Sequence, residues 1–195
     1  SNGAKQSVCN TLMALVDDGD EVIIPAPYWV SYPQMVKLAG GNPVIVKAGF
    51  EQNFKMTPEQ LEAAITPKTR MLILCSPSNP TGSVYSKEEL EQLANVIKRH
   101  EDMFVLADEI YEHINYIGQH ESIAQFPGMK ERTILVNGVS KAYAMTGWRI
   151  GYIAAPEWIV KGCNKLQGHY TNGPGSVSQV AALAAYVTEQ PCVEE

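Results

Sequence analysis

The chain has 195 residues, of which 45% are hydrophobic and 18% are charged, and its net charge is -6. This length suffices for one domain or at most two, and an acidic balance without a lysine or arginine cluster argues against nucleic-acid binding. No apolar run approaches the roughly 20 residues of a membrane span, so we expect no membrane partner. Small-molecule chemistry is the expected class of function.

The cysteines point to a reducing compartment. They are far apart, form no C-x-x-C pair, and three of them lie within apolar segments. The four are Cys9, Cys75, Cys163 and Cys192. Such a pattern indicates reduced thiols, so we expect a cytoplasmic protein, and we assign no metal site.

The first part of the chain predicts a helix and then alternating strands and helices. Apolar residues at helical spacing follow Gly3, so the first helix begins in or just after that glycine. Its free N–H groups could hold a phosphate, although this signal alone favours an ordinary capped helix. The next predicted elements are a strand at 21–25, a rigid aromatic loop at 25–33, a helix at 35–39 and a strand at 43–47. Trp29, in that loop, is either core filler or a stacking surface for a planar ligand.

The remaining pattern predicts a layered α/β fold. Capping boxes at Thr57 and Ser86 begin two helices, which end near Ile65 and His100. Further helices are predicted at 157–168 and 178–186. Apolar runs predict buried strands at 71–75, 104–107, 133–136 and 150–155. Strands that alternate with helices in this way indicate an α/β sandwich with a largely parallel sheet.

Polar side chains follow three successive strands of this predicted sheet. Asn79 follows the first, Asp108 and Tyr111 follow the second, and Ser140 and Lys141 follow the third. Ligands of open parallel sheets bind outside the carboxyl ends of the strands. We therefore expect these side chains to meet at one rim.

Two of these residues have alternative interpretations. A buried or semi-buried Lys141 costs free energy unless it is paired or used, for example as an amine that condenses with an aldehyde. A surface lysine is equally compatible with that stretch alone. Asp108 is either a desolvated carboxylate, one paired with a cation, or a solvated helix cap. Since a Walker A loop and a G-x-G-x-x-G fingerprint are both absent, a nucleotide is not the implied ligand.

One ligand could use all of these groups. It would need an aldehyde for Lys141, a basic ring nitrogen for Asp108, and a phenolate-like oxygen for Asn79 and Tyr111. It would also need a phosphate for Arg149 and the first helix. Pyridoxal 5′-phosphate has all four features.

Three motifs then carry a family resemblance. They are Ser-Pro-Ser-Asn-Pro-Thr-Gly at 76–82, Ala-Asp-Glu-Ile-Tyr at 107–111, and Ser-Lys-Ala-Tyr-Ala-Met-Thr-Gly-Trp-Arg-Ile-Gly at 140–151. In this order they resemble the class I pyridoxal-phosphate-dependent aminotransferases, in the bacterial aspartate aminotransferase-like branch. The resemblance implies the large, cofactor-binding domain of that family over residues 1–195, a three-layer α/β/α sandwich with a mostly parallel mixed sheet. It also implies transfer of an amino group from aspartate or a similar amino acid to a 2-oxo acid.

The resemblance assigns the reacting groups. It implies that Lys141 forms the Schiff base and moves the substrate proton, and that Asp108 keeps the pyridine nitrogen protonated. Tyr111 and Asn79 are implied to hydrogen-bond the ring oxygen. Trp29 is implied to stack on the ring.

The same resemblance assigns an anion site. It implies that Arg149, Ser140 and the backbone N–H groups of Ala4 and Lys5 hold the phosphate. In this branch Lys5 has a second possible role, toward a distal substrate carboxylate. Gln167 stands roughly where other branches carry a substrate-reading arginine, which puts aspartate specificity in doubt.

The family subunit is about twice this long and contains a second, smaller domain. The arginine that binds the substrate α-carboxylate lies in its C-terminal part, so we expect the 195-residue chain alone to be nearly inactive. We expect the full-length protein to be a homodimer. Two alternatives remain: a lyase or decarboxylase that uses the same cofactor, and a cofactor-binding effector domain of a transcription regulator.

Overall fold

A computed structural model describes residues 1–189 and 191–194 of the chain. Its described strands form one six-stranded sheet in the order β2-β1-β3-β4-β5-β6. The strands are β1 (Glu21–Ala26), β2 (Asn42–Lys47), β3 (Thr69–Cys75), β4 (Phe104–Asp108), β5 (Thr133–Gly138) and β6 (Gly151–Ala154). All neighbouring strands pair in parallel except β5 and β6, which are antiparallel. The expected mostly parallel mixed sheet is confirmed.

Helices cover both faces of this sheet. They are α1 (Ala4–Leu15), α2 (Ser31–Leu38), α3 (Pro58–Ala64), α4 (Lys87–Ile97), α5 (Glu157–Tyr170), α6 (Ser176–Val187) and α7 (Pro191–Glu194). Successive side chains of a strand point to opposite faces, and β3 shows this directly. Leu72 and Leu74 pack in a core with α3 and α4, whereas Met71 and Ile73 pack in a second core with α1, α2 and α5. The expected three-layer α/β/α sandwich is therefore confirmed.

The strand order places a ligand-binding crevice. After β1 the chain crosses to one side to form β2 and then to the other side to form β3. The point where the order reverses is where open α/β sheets bind ligands, at the carboxyl ends of the strands. In the described part of the sheet, β3 pairs with β1, and β4 and β5 follow in order, so the carboxyl ends of these parallel strands lie at the same edge.

The helix starts show what the sequence pattern could and could not specify. Both capping boxes are confirmed, since the hydroxyls of Thr57 and Ser86 each accept a hydrogen bond from the backbone N–H three residues on. The predicted loop at 25–33 is wrong in its last part, because α2 already begins at Ser31. Pro33 lies in the first turn of that helix, where a missing N–H costs no intrahelical hydrogen bond.

Two expectations from composition can be compared with the structure. Cys9, Cys75 and Cys163 are free thiols, as expected. The side chain of Cys192 lies outside the described residues. In the described part of the chain, no helix combines the length and apolar character that crossing a membrane requires.

Gly151 lets α1 lie against the start of β6. The terminal amino group of Ser1 donates to Gly151 O at 2.8 Å, and Gly151 N donates to Ser1 O at 3.1 Å. A Cβ at position 151 would lie 2.5 Å from the carbonyl carbon of Gly3 and would also collide with the backbone N of Ala4. Backbone atoms cannot rotate away from such a clash, so the helix N-terminus would have to move.

We expect Gly151→Ala to lower the free energy of unfolding by about 1–3 kcal/mol, the usual range for overpacking. Gly147→Ala is the matched control, because a Cβ there meets nothing within 4 Å, and we expect it to stay within about 0.5 kcal/mol of wild type. Urea unfolding of the three proteins measures both effects. Equal midpoints for the two variants would contradict the prediction.

Candidate active site

A cavity of about 310 Å³ lies at the carboxyl edge of the sheet, a size typical of small-molecule sites. All nine residues that the sequence predicted for the site line it: Ala4, Lys5, Trp29, Asn79, Asp108, Tyr111, Ser140, Lys141 and Arg149. Four further residues also line it: Tyr32, Cys75, Ile110 and Thr146. The structure thus brings residues from α1, the β1–α2 connection and three strand ends to one place.

Asp108, the last residue of β4, is a desolvated carboxylate. It is 5% exposed, and within the described residues it forms no ion pair with a lysine, arginine or histidine. The hydroxyl of Tyr32 donates to its Oδ2 at 2.6 Å, and the N–H of Ile110 donates to its Oδ1 at 3.3 Å. Burial raises the pKa of Asp108 above its ordinary value, and these two hydrogen bonds offset part of the rise.

Lys141 follows β5 and lies across the cavity from the end of β4. Its side chain is exposed, so of the two interpretations left open for Lys141 the structure shows the surface lysine. Its Nζ lies 5.6 Å from the centroid of the Tyr111 ring. The Tyr111 hydroxyl in turn accepts a hydrogen bond from Asn79 Nδ2 at 3.3 Å. A primary amine, a phenol and an amide therefore share one side of the cavity.

An anion-binding arrangement lies at the N-terminus of α1. Its N-cap, Gly3, has a positive φ of 89° and no side chain to satisfy the first N–H groups of the helix. A Cβ there would collide with the guanidinium of Arg149. Arg149 itself adopts a left-handed φ of 52° and donates to Thr146 O at 2.7 Å. The glycine thus lets a guanidinium approach a helix N-terminus, two groups that both favour a bound anion.

Trp29 has neighbours on two sides. It is half-buried, packs edge-on against Tyr32 with ring centroids 5.3 Å apart, and contributes to the core beneath the cavity. Lys5 Nζ lies 4.8 Å from the centroid of its indole, within the range of a cation–π contact. The interpretation of Trp29 as core filler is confirmed, the indole also lines the cavity, and its stacking on a planar ligand stays a prediction.

With this geometry described, comparison with known proteins gives the family. The family model of class I and II aminotransferases matches residues 1–195. The chain belongs to this family. It is 55% identical over 95% of its length to the bifunctional aspartate aminotransferase and glutamate/aspartate-prephenate aminotransferase of Petunia hybrida, covering 39% of that protein. It is 53% identical over 99% of its length to the aspartate aminotransferase of Geobacillus stearothermophilus, covering 49% of it.

Solved structures of aminotransferases share the fold. The aspartate aminotransferase from Rhizobium meliloti superposes with a TM-score of 0.97 and 47% identity, over 100% of this chain and 49% of that one. The aromatic aminotransferase from Pyrococcus horikoshii gives a TM-score of 0.95 and 46% identity, over 98% of this chain and 52% of that one. This aminotransferase chain spans about half the length of these relatives or less.

Gln167 makes its hydrogen bonds within its own chain. Its side-chain oxygen accepts from Asn10 Nδ2 at 2.8 Å, and its Nε2 donates to Gln6 and Thr171. The residue thus joins α5 to α1 beneath the helix N-terminus in this aminotransferase chain. A role as a support for α1 accounts for the contacts with Asn10 and Gln6, whereas the contact with Thr171 lies at the C-terminal end of α5 itself.

The sequence pattern missed four cavity residues of this chain. Thr146 lies inside the third motif, and Ile110 inside the second, so both could have been found by extending the motifs. Cys75 ends β3 and was assigned only to the strand. Tyr32 had no usable signal, because the loop predicted around Pro33 concealed the start of α2.

A buried ion pair anchors the segment that carries Tyr111. Glu109 is 5% exposed, accepts from Ser122 Oγ at 2.6 Å, and pairs with His120 Nε2 at 2.8 Å. Burial alone would lower the pKa of His120, but the hydrogen bond and charge of Glu109 outweigh it and raise the pKa above its ordinary value. The pair therefore stabilises the fold most fully below the unfolded pKa and loses this effect as pH rises through the folded pKa.

We expect His120→Gln to lower the free energy of unfolding by about 1 kcal/mol at about pH 5.5, with a smaller difference at about pH 9. His169→Gln, at an exposed position of α5, is the control and should show no such dependence. Urea unfolding at the two pH values measures the difference. If His120→Gln lowered the free energy of unfolding equally at both pH values, the ion pair would contribute nothing to stability.

Proposed function

We propose that this protein is a pyridoxal-phosphate-dependent aminotransferase that transfers an amino group from aspartate or a similar amino acid to a 2-oxo acid. The observation that carries the proposal is that one cavity is lined both by the Lys141 amine and by the buried Asp108 carboxylate, which forms no ion pair within the described residues. The relatives named as aspartate aminotransferases support aspartate as the donor. The name of the Petunia hybrida relative includes prephenate, so this 2-oxo acid is a candidate acceptor.

The described residues fit pyridoxal 5′-phosphate. A buried carboxylate without a cation suits a protonated ring nitrogen, since the two charges offset each other's desolvation. The close approach of the Arg149 guanidinium to the N-terminus of α1, which Gly3 allows, suits a phosphate. When bound, the cofactor supplies an electron sink for the charge that develops at the substrate α-carbon.

The chain's own groups then have distinct tasks in this proposal. Lys141 anchors the cofactor and moves the proton of the substrate α-carbon as a general base and acid. Asp108 holds the proton on the ring nitrogen. Tyr111 and Asn79 hydrogen-bond the ring oxygen, and Trp29 covers one ring face.

The phosphate has its own set of ligands in the proposal. Arg149 offers a bidentate guanidinium and Ser140 a hydroxyl that is 7% exposed. The backbone N–H groups of Ala4 and Lys5 complete the site. The Lys5 side chain is then free to meet a distal substrate carboxylate.

Three further properties belong to the full-length protein. We propose that it is a cytoplasmic homodimer and that it supplies the arginine for the substrate α-carboxylate from outside residues 1–195. The domain described here is then the cofactor-binding domain. Turnover by the isolated chain is expected to be nearly absent.

The test follows the products of the full-length protein with aspartate and 2-oxoglutarate. A new amino acid that forms in step with a new keto acid supports transamination. Ammonia or carbon dioxide release instead would support a lyase or a decarboxylase. Cofactor binding without any turnover would support an effector domain.

A second measurement concerns cofactor attachment. Incubation with pyridoxal 5′-phosphate, borohydride reduction and peptide mapping should place the added mass on Lys141. Added mass on any other lysine, or on none, would count against the proposed site.

A further inference from the structure

The contact between Tyr32 and Asp108 joins two distant parts of the chain. Tyr32 lies in the first turn of α2, is 2% exposed, and its hydroxyl lies 2.6 Å from Asp108 Oδ2. Both residues line the cavity. The contact is therefore fully desolvated, and it lies directly beside the proposed ligand site.

The direction of this hydrogen bond is fixed. Burial raises the pKa of the Tyr32 phenol well above its ordinary value, and the charge of Asp108 raises it further. Tyr32 therefore keeps its proton and acts as the donor. A donor to an ionised carboxylate favours the ionised form.

The second oxygen of Asp108 is held from the backbone. The N–H of Ile110 donates to Oδ1 at 3.3 Å, so each carboxylate oxygen has one donor and keeps further acceptor capacity. Two donors on two oxygens fix the plane of the group. Only one of them, Tyr32, is a side chain that a substitution can remove.

We propose that Tyr32 is the positioning residue of this site: it keeps Asp108 ionised and oriented so that the carboxylate can retain the proton of a bound pyridine nitrogen. The inference rests on the proposed cofactor. Without the Tyr32 donor, the shared proton moves from the ring nitrogen toward the carboxylate. The pyridine ring would then be a weaker electron sink, although the ring nitrogen and the carboxylate together would still bind one proton.

The other side chains that face Asp108 do not favour its ionised form. The buried Cys75 thiol, whose pKa burial raises to about 12, and the Tyr111 phenol stay neutral beside it. The nearby Glu109 charge raises the pKa of Asp108. His120 forms its ion pair with Glu109 and not with Asp108. Tyr32 is therefore the side-chain donor that stabilises the Asp108 charge directly.

The test uses the full-length protein and two readouts. In the cofactor-free form, carbon-13 NMR of the Asp108 carboxyl gives its titration midpoint, which Tyr32→Phe should raise by roughly one pH unit or more. In the form loaded with nitrogen-15-labelled pyridoxal 5′-phosphate, the ring-nitrogen shift should move toward that of a neutral pyridine. The value of kcat should fall by about tenfold, with KM changed less.

Tyr85→Phe is the matched control. Tyr85 is also buried, at 4% exposed, but its hydroxyl accepts from Met56 N at 2.7 Å and is not one of the two donors to the Asp108 carboxylate. It should lose stability without moving either NMR signal. In an Asp108→Asn background, Tyr32→Phe should no longer lower kcat, because its effect acts through the carboxylate.

Each outcome decides the matter. If Tyr32→Phe does not fold, 3-fluorotyrosine at position 32 keeps the shape and strengthens the donor, and the Asp108 midpoint should then fall. Unchanged midpoints and ring-nitrogen shifts in a protein that binds the cofactor would overturn the role of Tyr32 alone. Absence of cofactor binding in the wild-type protein would overturn the proposed function itself.

Discussion

Lys141→Ala is expected to lower the rate of transamination by the full-length protein at least about a thousandfold. The substitution removes one of the two primary amines that line the cavity. The other, Lys5, lies over the Trp29 indole at 4.8 Å and follows the N-cap of α1, so we expect it not to replace Lys141 in the chemistry. The fold should be unaffected, because the Lys141 side chain is exposed. Steady-state kinetics with aspartate and 2-oxoglutarate measure the loss, and thermal unfolding verifies the fold.

Lys165→Ala is the control for this prediction. Lys165 is an exposed lysine of α5 that does not line the cavity. It should leave kcat within about twofold of wild type, as surface substitutions usually do. Retention of more than a tenth of the activity by Lys141→Ala would exclude the lysine from the chemistry.

Asp108→Asn is expected to lower kcat by roughly 100- to 1,000-fold, because unit charges about 3 Å apart interact by several kcal/mol at an effective dielectric near 20. The neutral amide cannot keep a pyridine nitrogen protonated. Asp108→Asn also tests the buried charge in the cofactor-free protein. There it should raise the free energy of unfolding, whereas in the loaded protein it lowers kcat.

The pH dependence follows from the raised pKa of Asp108. Between the unfolded pKa, about 3.9, and the higher folded pKa, the folded state binds more protons, so the free energy of unfolding falls as pH rises. Asp108→Asn should remove this part of the slope, whereas Asp102→Asn, at an exposed aspartate, should run parallel to wild type. Urea unfolding from about pH 3.5 to pH 8 gives the curves. If wild type and Asp108→Asn remain parallel, the carboxylate is not desolvated.

Much of the fold could be predicted because its signals are local. The strands of the sheet centre are continuous apolar runs, as at 71–75, and two helices begin with capping boxes whose hydrogen bonds involve residues three apart. Six of the nine predicted cavity residues could be collected because they lie in three motifs at strand ends. Their chemical roles remain predictions that the experiments above address.

The features that could not be predicted are those set by packing between distant segments. Tyr32 and Asp108 are 76 residues apart in sequence, so no local pattern indicates that a phenol rather than a cation meets the carboxylate. The start of α2 was misplaced because proline is equally acceptable in a loop and in a first helical turn. The exposure of Lys141 depends on what surrounds the end of β5, which its own sequence does not specify.

The distribution of charge around the cavity also affects how fast a ligand arrives. The chain carries a net charge of -6, yet Lys5, Lys141 and Arg149 all stand exposed around one opening. Local fields of this kind attract anions during diffusion, and salt screens them over about 8–10 Å. Capture of a phosphorylated ligand should therefore slow as ionic strength rises, although the protein as a whole repels anions.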